Sequence, residues 1–183
     1  MACGFAVRRW IKARAAFAIA MLCLWQMPFA SAASLSSKDV QLIAKVITFL
    51  DPPPAGGRIA IVYAGGSAAA RTDAEAIMAL FGDGVRTRRG LITAILVEAS
   101  ALAEAAGYSA VILAADTPGG VVTAAAKAGR IPCISADTTL VHSGACMIAV
   151  RSEPKVDITV NRAAARDAGV AFAPVFQLLI REL

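Results

Sequence analysis

Histidine occurs once in these 183 residues, at position 142, and none of the four cysteines belongs to a C-x-x-C pair. The first scarcity leaves little for metal or acid–base chemistry, and the second removes the usual knuckle of a structural zinc site. No stretch beyond the first thirty or so residues is long and apolar enough to span a bilayer, which takes about 20 residues. The phosphate loops are missing too. "YAGGSAAA" lacks the lysine of G-x-x-x-x-G-K-[ST] and the spacing of G-x-G-x-x-G. Ala69 stands where G-x-S-x-G needs its last glycine. Nor is there an internal repeat or a low-complexity linker.

The chain opens with a segment that reads as an export signal. Arg8, Arg9, Lys12 and Arg14 precede an apolar run from Ala15 to about Trp25, which ends in Gln26, Pro28 and the small-residue triplet Ala30-Ser31-Ala32. Charge, apolar core and A-x-A site in that order predict a secretory signal over 1–32, cleaved near Ala32, and a periplasmic product. Leu22 before Cys23 does not fit a lipoprotein signal, and "RRWIK" matches a twin-arginine signal only loosely. The formal charge of +5 belongs mostly to this segment, since its loss leaves fourteen basic against thirteen acidic residues. A nearly neutral chain is not a phosphate-tracking one, so nucleic acid is not an expected partner. Residues 33–183 are one domain's worth of chain.

Along that domain the elements alternate. "VQLIAKVITFL" has apolar residues at helical spacing and stops at Pro52-Pro53-Pro54. "RIAIVYAGG" reads as a strand, "SAAARTDAEAIMALFGDG" as a helix, "RRGLITAILVEA" as a strand and "SALAEAAGY" as a short helix that Ser100 would cap. "SAVILAAD" suits a strand buried on both faces, followed by a helix in "TPGGVVTAAAKAGR" and a strand in "IPCIS". Such alternation predicts an α/β fold: a mainly parallel, Rossmann-like sheet flanked by helices. The pattern then changes. "GACMIAVRSEPKVDITVN" reads as an antiparallel hairpin turning at Ser152-Glu153-Pro154, and two short terminal helices follow it. Asn161 is placed to cap the first of these and Gly169 to stop it.

Export decides the cysteine question. Cys3 and Cys23 leave with the signal, and Cys133 and Cys146 remain in a compartment where disulfides persist. If the strands that carry them are neighbours, their Cα atoms fall within the roughly 4.4–6.8 Å that a disulfide needs. A disulfide is therefore expected. The alternatives are a zinc site shared with His142, which would lack a fourth ligand, and two unpaired buried thiols.

Two strand-to-helix junctions stand out for binding. Gly65, Gly66 and Ser67 end one strand and open a helix, where backbone N–H groups can receive an anion. Thr117, Pro118 and Gly119 form a second such junction, with Thr117 as a cap and Pro118 at the first helical position. Both lie where open α/β sheets bind ligands, so Gly65, Gly66, Ser67, Thr117 and Gly119 define a candidate cleft. The plainer reading is turn chemistry. His142, Ser143 and Asp137 share one short loop but make no triad by proximity alone. Asp73, Glu75 and Asp157 read as solvated or dipole-favoured carboxylates, and Arg86, Arg88 and Arg89 as a basic cluster on a solvated loop. No cofactor, resident metal or catalytic machinery is expected.

The C-terminal third, "PCIS", "SGACMIAV" and "KVDITVNRAAARDAGVAFAPVFQLL", resembles the YfiR-like family of small periplasmic proteins. "VQLIAKVITFL" and "RIAIVYAGG" stand where that family has its first helix and strand. Gly144, Asn161 and Gly169 match its motif positions. Ala145 replaces the second of its paired glycines, and Leu50-Asp51-Pro52 replaces a Trp-Pro helix end. The resemblance implies a regulator that acts by binding: it would occupy the periplasmic domain of an inner-membrane signalling protein, such as a diguanylate cyclase in cyclic-di-GMP and biofilm signalling, and hold it inactive. On that reading the disulfide would tie inhibition to periplasmic redox state. A solute-binding module without catalysis is the alternative. Homodimerisation is left open.

Overall fold

The computed structural model describes residues 34–54, 57–104 and 107–183. The expected signal over 1–32 lies outside the described residues. Among those described, no helix is long and apolar enough to cross a membrane.

Helix α1 (Ser37–Ile47) starts where Ser36 and Asp39 form a reciprocal capping box. It buries Val40, Ile43, Ala44 and Ile47 on one stripe, as their spacing predicts. A short strand β1 (Leu50–Asp51) follows, and then β2 (Gly57–Tyr63) enters the centre of the main sheet. Ser67 caps α2 (Ala68–Phe81) through the backbone N–H of Ala70. The next strands are β3 (Val85–Thr87), β4 (Gly90–Glu98) and β5 (Ala110–Leu113). Helix α3 (Gly119–Gly129) leads to β6 (Cys133–Ser135), and α4 (Thr138–His142) to β7 (Ile148–Arg151). The chain closes with β8 (Asp157–Val160), α5 (Arg162–Asp167), β9 (Ala171–Phe172) and β10 (Arg181–Glu182).

The main sheet has eight strands in the order β10-β8-β7-β6-β5-β2-β4-β3, and β1 pairs with β9 in a separate two-stranded piece. Strands β4, β2, β5, β6 and β7 are parallel throughout. Strand β8 turns back antiparallel on β7. The sheet is thus mainly parallel with a C-terminal antiparallel hairpin, the α/β class expected from the alternating pattern. All four residues of β5 are buried, and so are Ile59–Val62 of β2, because helices cover both faces of a parallel sheet. From β2 the chain crosses to β4 on one side and then returns to β5 on the other, which sends α2 and α3 to opposite faces.

Four local details differ from the expectations. "RRGLITAILVEA" is not one isolated strand, because β3 folds back on β4 through a tight turn at Thr87–Gly90. The turn is held by the Thr87 hydroxyl on the Gly90 carbonyl (2.8 Å) and by Gly90 at φ +133°. The segment after β4 is a 3-10 turn, Ala99–Glu104, and Ser100 gives its hydroxyl to Glu98 instead of capping it. Only the first of the two terminal helices is α-helical; the second is a 3-10 turn over Pro174–Leu178. Finally, β10 pairs in parallel with β8, so the hairpin is not the outer edge of the sheet.

Candidate functional site

The strand order makes a switch point between β2 and β5, and in open α/β sheets ligands bind beyond the carboxyl ends of such strands. Here the two junctions are tied to each other. The Thr117 side-chain oxygen, buried behind the loop after β5, accepts the backbone N–H of Ala64 beyond β2 at 3.2 Å. Thr117 therefore ties the two junctions together and does not cap α3, whose first turn has Pro118 at the N-cap position and no side-chain cap. Gly65 sits against the Glu98 side chain, close enough that a Cβ there would collide with its carboxylate. An anion over Gly65 and Gly66 would meet that negative charge.

The open cavity lies one strand further along, beyond the carboxyl ends of β5 and β6. It holds about 460 Å³, walled by Leu35, by Asp73 and Ile77 of α2, by the loop Ala114–Thr117, by Ser135–Thr138, by Leu140, and by Arg151 at the end of β7. Of the candidate cleft residues only Thr117 lines it; Gly65, Gly66, Ser67 and Gly119 do not. Each polar wall has a local cause. Asp73 receives the backbone N–H of Ala115 at 2.8 Å and so pins α2 to the loop after β5, which is a structural tie and not a solvated position. The loop then turns through Asp116 at φ +55°, a conformation that Asn and Asp adopt more readily than other non-glycine residues. Ser135 is buried and accepts the Asp137 N–H at 3.0 Å, while Asp137 caps α4 through the Thr139 N–H at 2.8 Å.

The result is a small-solute-sized cavity lined by the acidic residues Asp73, Asp116 and Asp137 and by one arginine, Arg151. Such a rim can receive an ammonium group on one side and an anionic group on the other. Sequence reasoning missed Ser135 and Arg151, and weighed Asp137 only beside His142 and Ser143. The available signal was the same rule about carboxyl ends, applied to "IPCIS" as well as to the two glycine-bearing junctions.

The remaining sequence candidates are structural in placement. Cys133 and Cys146 meet as a disulfide, with Cα atoms 4.9 Å apart and both residues 1% exposed. Neighbouring parallel pairing of β6 and β7, with Ile134 opposite Ile148, brings them together. His142 is exposed at the end of α4. Among the described residues no group of three His, Cys, Asp or Glu side chains is placed to hold a metal. Gly144 adopts φ +77° and Gly169 φ +66°, as turns that end helices require. Asn161 caps α5 through the Ala164 N–H (3.0 Å) and also donates to the Val141 carbonyl (2.9 Å), joining α5 to α4. Asp157 pairs with Arg181 of β10 at 2.9 Å, and Glu75 with Arg71 at 2.9 Å.

Strand order and cavity together define an open, doubly wound type of α/β domain. No family model matches the chain, and no curated protein matches it. Among solved structures it is similar to a conserved domain protein from Vibrio cholerae O1 biovar El Tor, at 17% identity and a TM-score of 0.56, over 82% of this chain and 61% of that one. It is also similar to an ABC domain in complex with L-Trp from Streptococcus pneumonia, at 14% identity and a TM-score of 0.56, over 79% of this chain and 60% of that one. The chain thus spans about three fifths of the length of these neighbours, and at such identities the likeness is one of fold.

Proposed function

We propose that this chain is an exported regulatory protein that acts by binding and not by catalysis. Processed near Ala32, it docks on the periplasmic domain of an inner-membrane signalling protein and holds it inactive. The partner implied by the YfiR-like resemblance is a diguanylate cyclase. The observation that carries this reading is an apolar face on the C-terminal segment. Val175, Leu178 and Leu179 stand 55%, 86% and 57% exposed. They are held in place by Phe176 between them, which is fully buried and lies 5.2 Å from Phe49 and 5.1 Å from Phe172, ring centre to ring centre. Apolar side chains gathered on an anchored surface segment suit a protein partner. Inhibition further requires that the partner's inactive state be bound more tightly than its active one. Cyclic-di-GMP measured in a strain lacking the protein, beside the complemented strain, tests this. A rise on deletion that complementation reverses is the expected result, and no change would remove the cyclase.

A second reading, a solute-binding module, is favoured by the 460 Å³ cavity and by the L-Trp complex of a neighbour of the same fold. A zwitterion would set its ammonium against Asp116 and Asp137 and its carboxylate against Arg151. A melting temperature that climbs with L-Trp concentration supports it by mass action. No shift with L-Trp or a panel of other amino acids counts against it.

A further inference from the structure

A second concavity, of about 820 Å³, lies away from the cavity just described, between α1, the β3–β4 turn and the C-terminal segment. Its apolar surface comes from Ala44, Phe49, Val85, Ala173 and Val175, and its charged surface from Lys45, Arg86, Arg88 and Arg89. Among the described residues no carboxylate lines it. The ion pairs among the described residues use other basic side chains, so none of these four has a described carboxylate within 4.0 Å.

Local structure accounts for one of the four cations and not for the other three. Lys45 lies in the last turn of α1, where a cation is favoured by the helix dipole. The arginines have no such reason. The β3–β4 turn is secured by Thr87 and Gly90, and tight turns ordinarily carry Gly, Asn or Asp at their centre, not two arginines. Three guanidiniums within four positions repel one another and raise a positive field over the apolar floor. An anion seated there relieves that repulsion, and the floor beneath it covers an apolar body. The volume is within the range of about 300–1,000 Å³ typical of small-molecule sites.

We propose that this groove binds a small anionic amphiphile: an acid group, such as a free fatty-acid carboxylate, carried on an aliphatic or aromatic body. The acid is held by Arg86, Arg88, Arg89 and Lys45, and the body lies on Phe49, Val85 and Val175. Because Val175 also belongs to the exposed apolar face, an occupied groove changes the surface offered to a partner.

The test uses the protein purified from an exporting host, with no partner present. The probe is 1-anilinonaphthalene-8-sulfonate, an anion on an apolar aromatic body, followed by its fluorescence. Saturable binding of one probe per chain is expected, with displacement by decanoate and not by decanol or inorganic phosphate. The Arg86→Gln/Arg89→Gln double variant is expected to bind at least tenfold more weakly with an unchanged melting temperature. Val175→Asp, which sets a carboxylate in the groove, should weaken binding similarly. Absence of saturable binding overturns the proposal, as does equal displacement by decanol or by phosphate, or unchanged affinity in both variants. Displacement by an oligoglutamate peptide but not by decanoate overturns it in favour of an acidic peptide. None of these outcomes depends on a membrane partner, so their failure leaves the regulatory reading untouched.

Discussion

The Asp39 carboxylate receives the backbone N–H of Ser152 at 2.6 Å, across 113 positions of sequence. Its other oxygen takes both the N–H and the hydroxyl of Ser36 at 2.7 Å. One buried side chain therefore starts α1 and fastens it to the turn of the β7–β8 hairpin. The first helix is held in place by the C-terminal part of the sheet as well as by its apolar stripe. That part is also where the disulfide and, further on, the exposed apolar face are found.

Asp39 makes stability depend on acid. Burial by itself would push its carboxyl up, but the hydrogen bonds from Ser36 and Ser152 outweigh burial and hold it below its ordinary value. A folded-state pKa below the unfolded one adds stability at pH values above the unfolded pKa, lost as pH falls through the folded one. Asp39→Asn keeps the shape but turns an amide nitrogen toward a donor N–H. We expect a loss of about 1–3 kcal/mol at neutral pH. Urea melts from pH 7 downward should show the gap between the two proteins narrowing below about pH 4. A gap that stays constant to pH 2 would mean that the ionised carboxylate is not what binds the hairpin.

The disulfide acts through the unfolded chain. Cys133 and Cys146 close a loop of 13 positions, for which the chain-entropy model gives about 3 kcal/mol. The Cys133→Ser/Cys146→Ser variant should therefore melt at a lower temperature with the fold kept. With both cysteines 1% exposed, the folded bridge is out of a reductant's reach. Thiol labelling after dithiothreitol should be slight in buffer and complete in denaturant. Labelling already complete in buffer would support the redox control of inhibition that the regulatory reading carries. Slight labelling would confine that control to folding.

The sheet was legible because its signals are local and periodic. Continuous apolar runs such as Ala110–Leu113, and alternation of strand with helix, fix a parallel sheet before any contact is known. Asn161 was legible as a cap for the same reason, whereas Ser100, which donates to Glu98, and Thr117, which accepts the Ala64 N–H, have cap-like positions but tertiary or backward partners. Strand β3 was not legible: three residues ahead of an Arg-Arg turn carry none of the usual hairpin signal. The cavity beyond β5 and β6 was not anticipated, and neither was the Thr117 oxygen accepting the Ala64 N–H, a pairing 53 positions apart that no spacing rule foretells. Arg151 reaches the site only through the order of β6 and β7, which is a tertiary fact.

Adjacent glycines at the start of α3 should respond with opposite sign. A Cβ on Gly119 would stand 2.6 Å from the Ala145 Cβ, while one on Gly120 meets nothing within 4 Å. Gly119→Ala must push the helix away from the segment before β7 and should cost on the order of 1–3 kcal/mol. Gly120→Ala replaces a poor helix former in open space and should stabilise by up to about 1 kcal/mol. Thermal melts of the two variants side by side decide the matter. Equal effects would mean that the close approach of α3 to Ala145 does not constrain the fold.

The apolar face yields the prediction that bears most directly on function. Leu178 and Leu179 are exposed beside the buried anchor Phe176, so Leu178→Asp/Leu179→Asp should leave the folded chain intact. Surface changes of this kind usually alter stability by no more than about 0.5 kcal/mol. If the face docks on a membrane partner, the variant should fold and be exported like the native protein, yet fail to lower cyclic-di-GMP in the deletion strain. Phe176→Ala serves as the contrast. Removing a fully buried phenylalanine costs about 3–5 kcal/mol and should reduce the amount of protein itself. Normal abundance with lost regulation in the first variant, against lost abundance in the second, separates a docking surface from a packing defect. A double variant that regulates as well as the native chain would move the contact elsewhere on the molecule.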